Sequence, residues 1–274
     1  MPSNLALPRY TWFHQTPPLH YTQAGQGEIL LLIHGSLCDY RYWRWQIPAL
    51  SQSHTVVAPS LRGFWPEAFT TEDNSFSIAR HTHDLQAFIR AISPDRPVHI
   101  LGHSRGAQVA LELACQAPEL TRSLTLADPG FRIDAEAETA SFHTEAVALL
   151  KRGEVDTALA DFVDSVNGPG TWRQMVGWFK TMVKDNAYTL LSQVREINLA
   201  VNLDRAASLQ CPVLLIGGAN SPARYRSRLD ILEQAFAQAS RITIPLASHG
   251  MNLANPKAFN QAVSHFLAQL SARA

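Results

Sequence analysis

The chain lacks the features that mark several large classes of protein. It has no excess charge of either sign, since 23 lysines and arginines balance 23 aspartates and glutamates. No basic run is present either, so we do not expect nucleic acid as a partner. No apolar stretch approaches the length that crosses a membrane, because even the run at Ile29–Ile33 is far too short. We therefore expect no membrane partner.

Cysteine is scarce as well. Cys38, Cys115 and Cys211 are odd in number and far apart, which argues against a disulfide framework and indicates reduced thiols. Residues 1–5 lack the charged and apolar regions of a secretory signal. Internal repeats and low-complexity segments are also missing. These absences predict a cytoplasmic protein whose 274 residues fit one large α/β domain with an insertion.

Short apolar runs alternate with helical patterns along most of the sequence. We predict a hairpin from residues 9–14 and 19–24, broken at Pro17 and Pro18, and then buried strands separated by helices. The strands are predicted at 29–33, 54–59, 98–101, 123–130, 212–217 and 241–244, and the main helices at 77–92, 107–114, 226–237 and 256–270. This rhythm indicates an α/β fold with a mostly parallel, doubly wound sheet of about eight strands.

Strand patterns largely stop between residues 131 and 205. This stretch is expected to be helical and to be inserted between two strands, where it can roof the carboxyl ends of the sheet. We therefore predict a core formed by residues 1–130 and 206–274 and a helical cap formed by residues 131–205. The cap is rich in large apolar side chains, so a small apolar or aromatic molecule is the expected substrate. The candidate substrate-binding residues are Trp172, Trp178 and Phe179, which could instead simply pack the cap.

Residues 102–106 form the motif Gly-His-Ser-Arg-Gly, the strongest chemical signal in the chain. A strand pattern precedes the motif and a helical pattern follows it at once, so Ser104 is expected at a sharp, strained turn that exposes its hydroxyl. A side chain at Gly102 or Gly106 would collide with the neighbouring helix or strand. N–H groups at the start of the helix can stabilise an anion. The motif therefore predicts a nucleophile that attacks a carbonyl.

A serine hydroxyl needs a base to remove its proton, and histidine has a suitable pKa. Of the 11 histidines, His249 follows the last predicted strand, at the sheet edge where Ser104 must also lie, and it is the candidate base. An acid must orient that base, but residues 217–222 contain no carboxylate. Asp128, at the end of its own strand, is therefore the candidate acid.

The attack would create an oxyanion that needs two backbone N–H donors. Arg105, directly after the nucleophile, is expected to provide one of them. Ser36 or Leu37, in the loop after the 29–33 strand, is expected to provide the other, because Gly35 lets the backbone approach a ligand there.

Three further groups of side chains have simpler explanations than a site. The histidines of residues 81–84 do not share a helix face, so we expect a solvated surface and no metal. The arginines of residues 224–228 fit a solvated helix start better than a carboxylate-binding site. The aromatic residues of 40–45 are expected to pack against the core.

Three motifs together resemble the α/β-hydrolase family. They are His34-Gly35, the serine motif at 102–106 and Ser248-His249-Gly250, in the family's order and spacing. The resemblance covers nearly the whole chain outside the insertion, which is similar to the family's cap. It implies a serine hydrolase that cleaves an ester or related acyl bond through an acyl-enzyme on Ser104, with no cofactor.

Two positions depart from the family pattern. Asn220 stands where most members have the acid, although some members carry it at the position matching Asp128. Ser60 replaces the aspartate that commonly precedes the Arg-Gly turn. The displaced acid leaves open a carbon–carbon bond hydrolase or a cofactor-free lyase or oxygenase, and a non-catalytic ligand-binding member is a third alternative.

Overall fold

The computed structural model describes residues 11–13, 19–133 and 142–272, and an eight-stranded sheet forms its centre. The strands are β1 (Thr11–Phe13), β2 (Leu19–Ala24), β3 (Ile29–Ile33), β4 (Thr55–Pro59), β5 (Val98–His103), β6 (Thr121–Ala127), β7 (Arg132–Ile133), β8 (Ala200–Val201), β9 (Val213–Gly218) and β10 (Ala239–Ile244). The order in the large sheet is β1-β2-β4-β3-β5-β6-β9-β10. β1 and β2 pair antiparallel, as do β2 and β4, whereas all pairs from β4 to β10 are parallel. The predicted fold class is confirmed.

The central strands are buried on both faces, which explains their unbroken apolar sequence. In β3, Leu30 and Leu32 pack into one hydrophobic cluster, while Leu31 and Ile33 pack into another. Successive side chains of a strand point to opposite faces of the sheet, so each face needs its own apolar residues.

Helices cover both faces of the sheet. They are α1 (Ile47–Leu50), α2 (Ile78–Ile92), α3 (Arg105–Gln116), α4 (Phe142–Lys151), α5 (Val155–Asn167), α6 (Thr171–Gln174), α7 (Gly177–Asp185), α8 (Thr189–Gln193), α9 (Leu203–Ala207), α10 (Ala223–Ala235), α11 (Met251–Ala254) and α12 (Pro256–Ser271). Apolar residues of α2, α3 and α10 pack in the cluster with Leu31, and those of α1 and α12 pack in the cluster with Leu30. Ser77 caps α2, since its side chain accepts a hydrogen bond from the N–H of Arg80.

The segment between β6 and β9 contains α4 to α9 and the two short strands β7 and β8. β7 pairs with β8, so the beginning and the end of this insertion lie side by side. Phe162, Phe179 and Met182 of the insertion belong to the same hydrophobic cluster as Leu30. The short strands are additions to the expected helical stretch. Residues 134–141 of the predicted cap, like the predicted break at Pro17 and Pro18, lie outside the described residues.

The expected solvated surface at residues 81–84 is wrong for most of its members. His81 and Asp84 are fully buried, and only His83 has an exposed side chain. His81 follows Ile78 by three residues and precedes Leu85 by four, so it lies on the buried stripe of α2. Asp84 is compensated by Arg62 at 2.7 Å.

Candidate active site

Ser104 lies at the junction between β5 and α3, with backbone angles φ 54° and ψ −121°. Its N–H donates to the carbonyl of Ala127 at 3.0 Å, which ties the turn to β6. A Cβ atom at Gly102 would lie 2.3 Å from the carbonyl oxygen of Gly106, and a Cβ atom at Gly106 would lie 2.3 Å from that of His34. Such distances are too short for any side chain, so the predicted need for both glycines is confirmed.

Backbone strain is concentrated around this turn. Leu37 has φ 59° and Asp128 has φ 37°, so three predicted site residues occupy the left-handed region that favours glycine. Residues held in such conformations cost free energy and persist where the surrounding structure enforces them, commonly at functional sites.

Asp128 and His249 are brought together although 120 residues separate them along the chain. The Nδ1 atom of His249 lies 3.4 Å from Oδ2 of Asp128. Both residues are buried. Since Nδ1 faces the carboxylate, Nε2 is the ring nitrogen left to act on a neighbouring hydroxyl. In unliganded enzymes the hydrogen bonds between active-site groups are often long and tighten only when substrate binds.

Two further side chains hold this pair. Ser221 donates a hydrogen bond of 2.5 Å to the same Oδ2 atom of Asp128, and Tyr225 stacks on the imidazole of His249 with ring centroids 4.1 Å apart. Sequence reasoning missed both, because it searched the loop after β9 for a carboxylate. The only available signal was a hydroxyl in that loop, next to Asn220.

His103 supports His249 from the other side. Its Nε2 atom lies 2.8 Å from the backbone carbonyl oxygen of His249, and the two ring centroids are 4.7 Å apart. The hydroxyl of Tyr42 lies 3.4 Å from the same Nε2 atom. The histidine that precedes Ser104 therefore holds the loop that carries His249.

Burial sets the protonation of the site. It lowers the pKa of His249 below the ordinary value, and the positive charges of Arg224 and Arg228 lower this pKa further. Burial also raises the pKa of Asp128, while the hydrogen bond from Ser221 acts to lower it. His249 is consequently neutral and able to accept a proton at neutral pH.

The predicted oxyanion residues lie in the loop and the helix start that adjoin Ser104. Ser36 and Leu37 line the same cavity as Ser104, and Arg105 is the first residue of α3. Gly130 packs directly against Ser104 and Arg105. A Cβ atom at Gly130 would lie 3.0 Å from both the backbone nitrogen of Arg105 and Oγ of Ser104. Gly130 is a close-packing position that sequence reasoning did not identify.

The cavity has a volume of about 630 Å³ and is lined mostly by apolar side chains, with Ser104 and His249 among the lining residues. Trp178 and Phe179 line it, as predicted, but Trp172 does not. The indole of Trp172 lies instead beside Lys180, whose Nζ atom is 5.2 Å from the ring centroid. Asp164 fixes this turn of the insertion by accepting the N–H of Trp172 at 2.7 Å.

The aromatic side chains of residues 40–45 have two different locations: some pack in the core and others line the cavity. Trp43 is fully buried in the core, as expected, whereas Tyr42 and Trp45 line the cavity. Arg44 also lines it and is the only formally charged lining residue in the described part of the chain. Its guanidinium lies 4.4 Å from the ring centroid of Trp178.

The arginines at the start of α10 do not line this cavity. Arg226 is exposed, as expected, but Arg224 and Arg228 are half-buried. Arg224 donates to the carbonyl of Ser165 at 2.5 Å, so it also ties the core to the insertion.

Within residues 11–13, 19–133 and 142–272, no group of histidine, cysteine, aspartate and glutamate side chains is arranged to hold a metal ion. In the same residues, none of the helices has the length and apolar character needed to span a membrane.

Comparison with known proteins matches most of the chain to one family. A family model described as the alpha/beta hydrolase family matches residues 30–262. The chain is 23% identical over 258 residues to (E)-2-((N-methylformamido)methylene)succinate hydrolase of Acinetobacter baylyi, covering 90% of this chain and 93% of that protein. It is 23% identical over 254 residues to pimeloyl-[acyl-carrier protein] methyl ester esterase of Aeromonas hydrophila, covering 89% and 96%.

Solved structures give the same result at the level of the fold. The enol-lactonase from Burkholderia xenovorans is similar with a TM-score of 0.80 at 19% identity, over 94% of this chain and all of that one. The match of the family model over most of the sequence, together with the shared fold, means that the chain belongs to the alpha/beta hydrolase family.

Proposed function

We propose that this protein is a serine hydrolase that cleaves an ester or related acyl bond. Ser104 is the nucleophile, His249 the general base and Asp128 the acid that orients the base. The observation that carries the proposal is the position of His249, whose Nδ1 atom lies 3.4 Å from Asp128 and whose ring lines the same cavity as the strained Ser104. A neutral, oriented imidazole in the same cavity as a serine hydroxyl fits the arrangement that nucleophilic acyl transfer requires.

The reaction would proceed in two halves. His249 takes the proton of the Ser104 hydroxyl as Oγ bonds to the carbonyl carbon, and N–H groups of Arg105 and of Ser36 or Leu37 stabilise the resulting oxyanion. The tetrahedral intermediate collapses, the bond to the leaving group breaks and His249 returns the proton to that group. Water then attacks the acyl-enzyme after giving a proton to His249, and Ser104 leaves with that proton.

The apolar side chains that the inserted segment contributes to the cavity favour a substrate with a large apolar part. We propose that residues 131–205 act as a cap and that Trp178 and Phe179 contact the acyl or aromatic group in the cavity, since both lie on its wall. Pockets that bind small molecules are generally apolar with a few polar groups. The names of two similar proteins, a methyl ester esterase and an enol-lactonase, support ester chemistry as the first to test.

We also propose that the protein works in the cytoplasm. All three cysteines are free thiols, and burial raises the pKa of Cys115 and of Cys211 to about 11. Unpaired, unreactive thiols are typical of a reducing compartment.

A second candidate function is a cofactor-free lyase or oxygenase reaction in the same pocket. The observation that favours it is the acid after β6, since Asp128 and not residue 220 faces His249. Product analysis separates hydrolysis from a lyase reaction, and oxygen uptake identifies an oxygenase, because neither a hydrolase nor a lyase consumes oxygen.

The proposal is tested by intact mass after treatment with a serine-reactive phosphonate. We expect one adduct on the wild type and none on Ser104→Ala. Asp128→Asn should label up to about 10⁴-fold more slowly, since an amide favours the wrong tautomer of the imidazole and cannot stabilise its charged form. Asp230→Asn, which changes an exposed aspartate paired with Arg241, is the control and should label like the wild type. An unlabelled wild type, or full ester turnover by Ser104→Ala, would refute the proposal.

A further inference from the structure

One short stretch of the insertion forms hydrogen bonds with the side chains of residues on both sides of the proposed oxyanion hole. The hydroxyl of Ser36 donates to Oε1 of Gln193 at 2.6 Å. The Nη2 atom of Arg105 donates to Oε2 of Glu196 at 3.0 Å. Gln193 ends α8 and Glu196 ends the 3₁₀ turn Val194–Glu196 that follows directly. Ser36 and Arg105 lie far apart in the sequence, yet they bind side chains only three residues apart.

Glu196 is itself firmly held. Its two carboxylate oxygens accept the N–H of Ile78 at 2.9 and 3.1 Å, so it binds the first residue of α2 as well as Arg105. A carboxylate is stabilised by free N–H groups at the start of a helix. Glu196 therefore links three elements: the insertion, α2 and the first residue of α3.

The guanidinium of Arg105 is confined on its other sides as well. Its Nη1 atom lies 3.0 Å from Nδ1 of His81. The Cζ atom of the same guanidinium lies 5.0 Å from the ring centroid of Phe76. Arg105 is buried. Burial lowers its pKa, and the charge of Glu196 opposes that effect. Removing one partner of a buried ion pair leaves the other charge uncompensated, which destabilises the arrangement that the pair had held.

Gln193 is buried and fixed in the same way. Its Nε2 atom donates to Oγ1 of Thr189 at 3.0 Å, one turn earlier in α8, so its Oε1 atom is aimed at Ser36. Neither Gln193 nor Glu196 lines the substrate cavity. Together with Ser36 and Arg105 they line a separate small cavity. Their link to the proposed oxyanion hole therefore runs through the side chains of Ser36 and Arg105.

We propose that Gln193 and Glu196 are positioning residues that set the geometry of the oxyanion hole. The inference rests on the proposed serine hydrolase function. By fixing the side chains of Ser36 and Arg105, they fix the backbone N–H groups on both sides of the developing oxyanion. They bind no substrate, so their removal weakens stabilisation of the transition state and leaves ground-state binding nearly unchanged.

The test compares Glu196→Gln and Gln193→Ala with the control Glu112→Gln. Glu112 pairs with Arg205 at 3.0 Å, so the control also removes an ion pair between α3 and the end of the insertion, but far from the serine turn. Loss of one oxyanion donor typically costs roughly 10²- to 10³-fold in kcat. We expect Glu196→Gln to misplace the N–H group of Arg105 without removing it. This variant should therefore lower kcat on a p-nitrophenyl ester about 10- to 100-fold, with KM within about threefold of the wild-type value.

A transition-state analogue gives the readout that a purely structural role would not change. Binding of a trifluoromethyl ketone, which forms an oxyanion on Ser104, should weaken in Glu196→Gln and in Gln193→Ala in proportion to the loss of kcat/KM. Glu112→Gln should retain both values. Thermal unfolding of each variant separates loss of folded protein from loss of catalysis. Gln193→Ala removes no charge and provides the test if Glu196→Gln does not fold.

Two results would overturn the inference. One is an unchanged kcat in both positioning variants, and the other is a loss of kcat in Glu112→Gln as large as in Glu196→Gln. Phosphonate labelling of the wild type keeps this result separate from the proposed function. A wild type that labels at Ser104 while Glu196→Gln and Gln193→Ala keep full kcat would refute the positioning role alone.

Discussion

At the scale of single residues, the environment of His249 sets the pH at which its ring takes up a proton. Its ring lies between Tyr225 and His103, with Asp128 at Nδ1. Burial, followed by the charges of Arg224 and Arg228, lowers its pKa. A histidine with a lowered pKa stays neutral until the pH falls below its ordinary titration range.

We predict that the imidazole of His249 titrates below pH 6.5, the ordinary value for histidine. Arg224→Gln removes one positive charge that opposes protonation, so it should move this titration to higher pH. Arg90→Gln is the control, because Arg90 is exposed and is not among the groups that shift the pKa of His249 or of Asp128. The measurement is an NMR titration of the His249 ring in all three proteins, which reports His249 separately from Asp128, whose pKa burial raises to about 7. Titration of His249 above pH 6.5 in the wild type would contradict the prediction.

Ser104 and Ser221 differ in how far the sequence alone reveals their surroundings. The motif around Ser104 was readable because the strand, turn and helix are local patterns in adjacent residues. Ser221 was not readable, because its role depends on Asp128 lying 2.5 Å from its hydroxyl, and β6 and β9 are neighbours only in the folded sheet.

At the scale of elements, the turn between β5 and α3 is held by contact of backbone with backbone. Gly106 lies against the carbonyl groups of Ile33 and His34 at the end of β3. The close approach places the start of α3 beside the loop that carries Ser36 and Leu37. It thereby brings the two halves of the proposed oxyanion hole together.

Gly106→Ala should therefore destabilise the fold. The new Cβ atom would lie 2.3 Å from the oxygen of His34 and 2.4 Å from that of Ile33, and overpacking of this kind costs about 1–3 kcal/mol. Gly177→Ala is the matched control, since nothing lies within 4 Å of a Cβ atom there. Urea unfolding measures both variants. Equal midpoints for wild type and Gly106→Ala would show that the turn adjusts without cost.

At the scale of the whole molecule, the insertion and the core jointly form the cavity. Core residues such as Tyr42 and Ser104 and insertion residues such as Phe162 and Trp178 line it together. The insertion also contacts the core at Asn186, whose side chain donates to Asp39 at 2.8 Å. The cavity exists only when both parts are folded.

Trp178→Ala should distinguish large from small substrates. Loss of part of an apolar wall removes roughly 1–2 kcal/mol of binding to a bulky acyl group, so KM for aromatic or long-chain esters should rise roughly 5- to 30-fold. KM for an acetate ester should change little. Trp172→Ala is the control, because Trp172 lies outside the cavity lining. Steady-state kinetics on both ester classes tests this, and equal effects of the two substitutions would contradict it.

The sequence by itself determined the fold class, the buried strands, the serine turn and the choice of His249 and Asp128 as candidates. These depend on local patterns: apolar runs buried on both faces, glycines at one tight turn and polar residues at strand ends. The tertiary structure decided which of these polar groups meet. The approach of Asp128 to His249, the hydroxyl of Ser221 and the contacts of Gln193 and Glu196 with Ser36 and Arg105 join residues distant in the chain. Such contacts depend on the order of strands in the sheet and on how the insertion packs over it, neither of which a local pattern encodes.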